Sequence, residues 1–136
     1  DTDSVIVERY GSIADLFAKR GEEYFREIET RITAEIAKNY SDAVISTGGG
    51  CVLRKENVKN LKAGGKIIYL RARAETLIKR LQGDASRPLL QGGLEERVNG
   101  ILNARAAVYE RVADHIIDTD ELTALQVAEK IREINL

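Results

Sequence analysis

Residues 43–50, with the sequence AVISTGGG, constrain the fold of this chain more than any other stretch. The first four residues have the composition of a short buried strand. The glycines that follow let a ligand approach the backbone, because they carry no Cβ atom. In an open parallel sheet, ligands bind outside the carboxyl ends of the strands. Two interpretations stay open from the residues alone: a ligand site at Ser46, Gly48, Gly49 and Gly50, or a tight turn between a strand and a helix.

Short apolar runs and amphipathic helices alternate along the rest of the chain. Residues 66–70 form a second buried run, and residues 116–117 form a third. Apolar side chains at helical spacing predict a helix that is capped at Ser12 and ends near Gly21, and further helices over residues 22–39 and 94–111. The helix over residues 22–39 carries a single apolar stripe of Phe25, Ile28, Ile32 and Ile36. Thr123 is expected to cap a final helix with the apolar side chains of Leu125, Ala128, Ile131 and Ile134 inside. Near-continuous apolar strands that alternate with helices are typical of a parallel sheet covered on both faces. The predicted fold class is therefore α/β, with a three-layer αβα arrangement around a parallel sheet.

The composition argues against several classes of partner. Acidic and basic residues nearly balance at a net charge of −1, which gives no reason to expect a nucleic acid or an anionic membrane surface as a partner. No apolar run approaches the ~20 residues of a membrane span. Cys51 is the only cysteine of the chain, so its expected role is that of a small buried packing residue. This cysteine usage fits a reducing compartment, and the expected location is the cytoplasm.

Two carboxylates stand at the start of the chain, where Asp1 and Asp3 flank Thr2. In an extended segment both side chains would point to the same side. Such a pair suits the hydration shell of Mg²⁺, or the binding and deprotonation of a hydroxyl group. The alternative is an N-cap cluster for a helix that begins after Ser4.

Three arginines occupy positions that call for an explanation. Arg26 lies in the first turn of its helix, where the positive end of the dipole favours acids. An anionic ligand would explain it, and a solvated or ion-paired arginine is the alternative. Arg105 falls on the apolar stripe of its helix, where an unpaired charge is costly, so a ligand-facing role is favoured over a structural ion pair. Arg87 is central to residues 82–93, a glycine-flanked stretch that is either a lid or a plain surface loop.

Taken in order and spacing, these motifs resemble the shikimate kinase family over the whole chain. The matching motifs are DTD at residues 1–3, FREIE at 25–29, STGGG at 46–50, RPLL at 87–90, Arg105 with Tyr109, and IDTD at 117–120. The resemblance implies a P-loop kinase of the nucleoside-monophosphate-kinase type. It further implies transfer of the ATP γ-phosphoryl group to the 3-hydroxyl of shikimate, with Mg²⁺, on the chorismate route to aromatic amino acids.

The resemblance assigns residues to the substrate position by position. It implies that Asp3 binds the shikimate hydroxyls and takes a proton. It also implies that Arg26 and Arg105 hold the shikimate carboxylate, for which the planar fork of arginine is suited. The backbone beneath the substrate ring corresponds to Gly48, Gly49 and Gly50.

The resemblance also assigns residues to ATP and Mg²⁺. Arg87 corresponds to a lid arginine that neutralises charge on the transferred phosphoryl group. Asp1 and Ser46 correspond to the outer shell of Mg²⁺. Arg80 corresponds to an arginine that packs against adenine, beside an adenine-binding turn. That turn corresponds to Asp118, Thr119 and Asp120.

One motif of the family is absent from the 136 residues, namely G-x-x-x-x-G-K-[ST], the loop that binds the ATP phosphates. The Gly-Lys pair at residues 65–66 lacks the first glycine of that motif. We therefore expect a shikimate kinase without its N-terminal segment, which would include a first strand between residues 43–46 and 66–70. Residues 1–136 made alone are expected to fold poorly and to be inactive.

The expected organisation is a single kinase domain over residues 1–136, incomplete at its N-terminus. Its shikimate-binding helices are expected at about residues 4–39 and its lid at about residues 82–93. The expected partners are shikimate and ATP, and the expected state is a monomer. Two alternatives stay open: a shikimate-binding or regulatory module without kinase activity, and a related small-molecule kinase such as gluconate kinase.

Overall fold

A computed structural model of the chain describes residues 1–82 and 93–134. The chain divides into two compact units, Asp1–Lys66 and Ile67–Leu136. The first unit is helical, and the described part of the second combines helices with parallel strands. Arg87 and nearly all of the predicted lid lie outside the described residues.

The first unit contains three α-helices and a short 3₁₀ turn. Helix α1 spans Thr2–Tyr10, α2 spans Ile13–Asn39 and α3 spans Lys55–Lys62, with the 3₁₀ turn at Cys51–Leu53. Helix α2 is interrupted at Gly21, whose φ of 84° lies in the left-handed region that glycine adopts without a Cβ penalty. The helix break predicted near this glycine is therefore confirmed.

Helix α1 begins earlier than the sequence predicts. Asp1 is its N-cap, and the side-chain Oδ1 accepts a hydrogen bond of 2.8 Å from the backbone N–H of Ser4. Thr2 and Asp3 already belong to the first helical turn, so the prediction of an extended segment at residues 1–3 is wrong. An aspartate at the N-cap satisfies an amide that the helix leaves unpaired, which is the physical reason that the capping alternative holds.

The core of the first unit forms where α1 packs against α2. The predicted apolar stripe of α2 is confirmed at Phe25, Ile28 and Ile32, which are buried together with Ile6 of α1. Burying a side chain of this kind contributes about 1.5–3 kcal/mol. The shared core fixes the two helices against each other, and both contribute side chains to the candidate site.

Residues 43–46, predicted as a buried strand, do not form one. Val44 is 92% exposed, and the backbone of the segment is held by a hydrogen bond of 3.0 Å from the N–H of Thr2 to the carbonyl oxygen of Ser46. A strand requires a ladder of hydrogen bonds to a neighbouring strand. No strand within the described ranges pairs with this segment, and an apolar composition alone does not replace the missing ladder.

The second unit contains the parallel pairing that the sequence predicts. Strand β1, Ile68–Arg71, pairs in parallel with β2, His115–Asp118, in register from their first residues. The connection between them carries helices α4, Ala74–Gln82, and α5, Leu94–Val112. A crossover that contains helices is the usual way to join parallel strands. The alternation of strand and helix is therefore confirmed in this unit.

Helix α6 spans Ala124–Glu133 and begins at the predicted cap. Thr123 and Gln126 form a capping box, in which each side chain bonds the backbone N–H of the other residue. The prediction that Leu125 and Ala128 face the interior is wrong, because both are exposed. Tertiary packing decides which face of a short helix is covered, and apolar spacing alone does not fix it.

Candidate functional site

The glycine turn, residues 48–50, lies beside charged side chains of α1 and α2. A Cβ atom built on Gly48 would lie 3.4 Å from Oδ1 of Asp3 and 3.6 Å from Oε1 of Glu29. One carboxyl group from each helix therefore faces the backbone of this turn. The structure thus brings together two features predicted from the sequence, Asp3 and the glycines, within the first unit.

Gly50 lies closer to the guanidinium of Arg26 than Gly48 lies to the carboxylates of Asp3 and Glu29. A Cβ atom on Gly50 would lie 2.6 Å from Cζ of Arg26, nearer than real side chains come to one another. Gly50 is itself buried. The lack of a side chain at this position is therefore what lets the guanidinium rest against the backbone of the turn.

Arg26 is paired as well as close to the turn. Its Nη1 donates a hydrogen bond of 2.8 Å to Oε2 of Glu29, and its Nη2 donates one of 3.3 Å to Oε1 of Glu22. Burial by itself lowers the pKa of Arg26, but the hydrogen bonds and charges of Glu29 and Glu22 outweigh it and hold that pKa above its usual value. Arg26 is therefore ion-paired in this structure, and its predicted role toward a ligand carboxylate stays a prediction. Because a guanidinium has five N–H donors, these bonds leave donors for a ligand carboxylate.

Glu29 is a site residue that our sequence analysis did not single out. Its side chain is only 1% exposed, and Arg26 is its ion-pair partner one helical turn away. A carboxylate this deeply buried is retained only when it is paired and hydrogen-bonded. The sequence carried a signal for it, because the FREIE motif sets the arginine and the glutamate three residues apart, where helical side chains meet.

Asp3 presents a carboxylate oxygen that no donor among the described residues satisfies. Its Oδ1 is buried and has no hydrogen-bond partner in that part of the chain, although it faces the space beside Gly48. Leaving a buried acceptor unsatisfied costs about 1–3 kcal/mol. A ligand hydroxyl donating to this oxygen would remove that cost, so the geometry suits the predicted role of Asp3.

The glycine turn is tied to the 3₁₀ turn that follows it. The N–H of Cys51 donates to the carbonyl oxygen of Gly48 at 3.0 Å, and the thiol of Cys51 lies 3.5 Å from the hydroxyl of Thr33 on α2. Burial raises the pKa of this thiol, so it is neutral at physiological pH. The prediction that Cys51 is a buried packing residue is confirmed.

The predicted Mg²⁺ residues have structural contacts of their own. Asp1 caps α1, and the carbonyl oxygen of Ser46 accepts the N–H of Thr2, while Ser46 is exposed. Across residues 1–82 and 93–134, no group of three or more His, Cys, Asp or Glu side chains is placed to hold a metal ion directly. In the same ranges no helix has the length and apolarity to cross a membrane. Outer-shell contacts of Asp1 and Ser46 with Mg²⁺ remain a prediction.

In the second unit, Arg80 contacts the turn predicted to bind adenine. Its Nη2 donates a hydrogen bond of 2.6 Å to the carbonyl oxygen of Thr119, and its Nη1 donates one of 3.2 Å to the Thr119 hydroxyl. Thr119 is buried, and its N–H and hydroxyl both donate to the carbonyl oxygen of Arg71. The structure therefore joins Arg80 to the predicted turn.

The two aspartates of that turn are each held by an arginine. Asp118 accepts hydrogen bonds of 2.6 and 2.9 Å from the guanidinium of Arg71, which lower the pKa of Asp118. Asp120 accepts the backbone N–H of Arg73 at 2.9 Å. Hydrogen bonds from Thr76 and from that backbone amide lower the pKa of Asp120. The turn is thus fixed by charge-assisted bonds.

Arg105 belongs to the second unit, on α5, whereas Arg26 belongs to the first. Arg105 is half-buried, and within the described ranges it makes no hydrogen bond or ion pair. Gly49, by contrast, lies in the glycine turn and is exposed. The predicted substrate roles of Arg105 and Gly49 remain predictions, as does the role of Arg87, which lies outside the described residues.

Comparison with known proteins matches this chain to one family. A family model described as shikimate kinase matches residues 1–135. A shikimate kinase of Moorella thermoacetica is 45% identical over 134 residues, which cover 98% of this chain and 76% of that protein. A shikimate kinase of Caldicellulosiruptor bescii is 44% identical over 138 residues, which cover 100% of this chain and 79% of that protein.

Solved structures give the same result for the fold. The crystal structure of a shikimate kinase from Bacteroides thetaiotaomicron superposes with a TM-score of 0.85 at 33% identity, over 97% of this chain and 78% of the other. A shikimate kinase from Acinetobacter baumannii, in complex with shikimate, superposes with a TM-score of 0.85 at 34% identity. That match covers 97% of this chain and 74% of the other.

Proposed function

Because this chain belongs to the shikimate kinase family, we propose that it transfers the γ-phosphoryl group of ATP to the 3-hydroxyl of shikimate. The product would feed the chorismate route to aromatic amino acids. The fold is the α/β fold of P-loop kinases and contains a parallel sheet. It agrees with the fold class predicted from the sequence.

The observation that carries the proposal is the cluster of Asp3, Arg26 and Glu29 around the glycine turn. Shikimate carries one carboxylate and several hydroxyl groups, and the cluster offers a complement to each. Arg26 supplies planar donors for the carboxylate, and its position is held by Glu29 at 2.8 Å. Asp3 supplies an unsatisfied buried acceptor for a hydroxyl. Because Gly48 and Gly50 carry no side chain, these charged groups lie close to the backbone of the turn.

Catalysis then requires a proton acceptor and compensation for the charge that develops on the phosphoryl group. We assign the acceptor to Asp3, which takes the proton of the reacting hydroxyl. We assign part of the charge compensation to Arg87 by family resemblance. Asp1 and Ser46 would hold the water shell of Mg²⁺, which would supply neutralisation of the negative charge on the phosphates. We assign Arg105 to the substrate carboxylate as well.

ATP is assigned to Arg80 and to the turn that contains Asp118, Thr119 and Asp120. The 136 residues contain no G-x-x-x-x-G-K-[ST] motif, so the proposal assigns no phosphate-binding loop to them. We expect residues 1–136 alone not to turn over ATP. Activity is therefore measured on the intact protein. The single kinase domain, the monomeric state and the cytoplasmic location stay predictions.

The test is a coupled assay of ADP formation by the intact protein, with shikimate as the phosphoryl acceptor. Arg26→Lys should raise the KM for shikimate by about 10- to 100-fold, because an ammonium cannot reproduce a charge-assisted bidentate contact. The KM for ATP should change by less than about 2-fold, since Arg26 is assigned only to shikimate. The matched control is Arg54→Lys in the same unit, where Arg54 pairs with the exposed Glu23.

Each alternative gives a different result in the same assay. ADP formation with gluconate and none with shikimate would identify a related small-molecule kinase. Shikimate binding by calorimetry without any ADP formation would identify a binding or regulatory module. An unchanged KM for shikimate in Arg26→Lys would remove Arg26 from the substrate site and leave it as a structural ion pair.

A further inference from the structure

Asn57 is a polar side chain that the packing of α3 buries completely. It is 0% exposed, among the most deeply buried side chains of the chain. Its Nδ2 donates a hydrogen bond of 2.8 Å to the carbonyl oxygen of Cys51, whereas its Oδ1 is buried and has no hydrogen-bond partner within residues 1–82 and 93–134. A leucine has the same number and branching of side-chain heavy atoms, although it is bulkier, and it would avoid the cost of that unsatisfied oxygen. Unlike leucine, the asparagine side chain can donate a hydrogen bond to the carbonyl oxygen of Cys51.

The bond places the Cys51 peptide under restraint from both sides. Its carbonyl oxygen is held by Asn57 of α3, and its N–H is bonded to the carbonyl oxygen of Gly48 at 3.0 Å. The thiol of the same residue contacts Thr33 of α2. The glycine turn therefore ends at a residue that two helices fix in place.

The position of the glycine turn also determines where the guanidinium of Arg26 can lie. The guanidinium lies so close to Gly50 that a single added carbon atom would collide with it. A shift of the turn toward or away from α2 must either displace the guanidinium or open a gap beneath it. Close-packed contacts of this kind transmit small displacements.

We propose that Asn57 is a positioning residue for shikimate, which holds the Cys51 carbonyl so that the glycine turn keeps Arg26 aligned with the substrate carboxylate. This inference rests on the proposed function, because it concerns the same site. Asn57 does not contact substrate in this scheme. It acts through Cys51 and Gly50.

The test compares Asn57→Leu with wild type in the intact protein. The KM for shikimate should rise by about 3- to 10-fold, the range for one lost hydrogen bond, while the KM for ATP changes by less than about 2-fold. The thiol of Cys51 should react faster with iodoacetamide, followed at its own peptide by mass spectrometry, because the turn that covers it loosens. Asn60→Leu is the matched control on the same helix and should leave all of these values unchanged.

The outcomes separate the inference from the function on which it rests. Wild-type protein without shikimate-dependent turnover overturns the proposed function, and the inference with it. With an active wild type, an unchanged KM for shikimate in Asn57→Leu overturns the inference alone, whether or not Cys51 becomes more reactive. A raised KM with unchanged thiol reactivity also overturns it, because the effect then does not pass through the turn. If Asn57→Leu does not fold, Asn57→Ala removes the donor without added bulk and is judged by the same criteria.

Discussion

At the scale of single residues, Arg26 shows how burial, pairing and steric contact combine. Its side chain is 16% exposed, and Glu29, its partner on the same helix, is almost fully buried. Glu29 holds one edge of the guanidinium, and the backbone of Gly50 lies against it. The protein therefore fixes this cation before any ligand arrives. Preorganisation of this kind improves affinity because less conformational freedom is lost on binding.

The contact with Gly50 leads to a steric prediction. Gly50→Ala would place a methyl group where the Arg26 guanidinium lies, so the guanidinium must move or the turn must distort. Small-to-large changes at packed positions cost about 1–3 kcal/mol. We expect a rise of about 10-fold or more in the KM for shikimate, with a smaller effect on the KM for ATP. Steady-state kinetics with each substrate varied in turn measures both values.

The matched control for this substitution is Gly64→Ala. A Cβ atom on Gly64 meets nothing within 4 Å, so this alanine should leave both KM values as they are in wild type. Equal effects of the two substitutions would mean that loss of glycine flexibility, and not contact with Arg26, is responsible.

The same residues show how far the sequence predicts the site. Arg26 and the glycines stand out because a cation in a first helical turn and three successive glycines are locally unusual. Asn57 gave no such signal, because an asparagine on a short polar helix is expected at the surface. Its burial results from the packing of α3 against α2, a contact between distant parts of the chain that no local pattern encodes.

At the scale of elements, an aspartate carboxylate accepts hydrogen bonds at each end of the parallel strand pair β1–β2. Asp114, just before β2, accepts the N–H of Ile67 at 2.8 Å. At the other end, Asp118 binds Arg71 through two hydrogen bonds across the last register pair. A pair of short strands has few ladder bonds, so such side-chain bonds contribute a larger share of its stability.

The Asp118 contact predicts a pH dependence of stability. Hydrogen bonds from Arg71 lower the pKa of Asp118. A lowered pKa contributes stability above the unfolded-state pKa of about 4, and that contribution is lost as the pH falls through the folded-state value. Asp118→Asn should therefore lower the melting temperature by about 2–4 °C at pH 7, and this difference should shrink as the pH falls below about 4. Thermal melts across this pH range measure it.

Glu121→Gln serves as the control for the Asp118 prediction. Glu121 is 90% exposed, and its carboxylate lies 3.6 Å from Arg73, so its removal should hardly change the melting temperature. A difference between Asp118→Asn and wild type that does not shrink as the pH falls below about 4 would contradict the prediction that the charge of Asp118 stabilises the protein.

Helices and strands were predicted well where the sequence pattern is local, and poorly where the element depends on another element that packs or pairs with it. The N-caps at Ser12 and Thr123 and the stripe of α2 follow from side chains within one helix. Residues 43–46 failed as a strand because a strand exists only through a partner, and no described strand lies beside them. The prediction that Leu125 is buried was wrong for a related reason, because its burial would require another surface that packs on that face of α6.

At the scale of the whole molecule, each unit contains one cluster of residues that is assigned to a single ligand. The glycine turn with Arg26 belongs to Asp1–Lys66 and is assigned to shikimate. Arg80 and the turn that follows β2 belong to Ile67–Leu136 and are assigned to ATP. Substitutions within each set should therefore affect one substrate much more than the other, provided that the protein stays folded.

Arg80 allows a specific test of the ATP assignment, because its hydrogen bonds within the described residues all go to the turn that follows β2. It donates two hydrogen bonds to Thr119, one of them to the carbonyl oxygen at 2.6 Å. Loss of these bonds should loosen the turn and expose a buried carbonyl group, at a cost typical of charge-assisted bonds of about 1.5–3 kcal/mol. The alanine variant should therefore bind ATP less tightly while its shikimate site stays intact.

We predict that Arg80→Ala raises the KM for ATP by about 10-fold and leaves the KM for shikimate within about 2-fold of wild type. Arg26→Lys should show the reverse pattern in the same assay. Lys79→Ala is the control for Arg80, since Lys79 is its exposed neighbour on α4, and it should change neither value. A parallel rise of both KM values in Arg80→Ala, together with a lowered melting temperature, would instead mean that Arg80 stabilises the fold as a whole. In that case the assignment of Arg80 to the ATP site would be wrong.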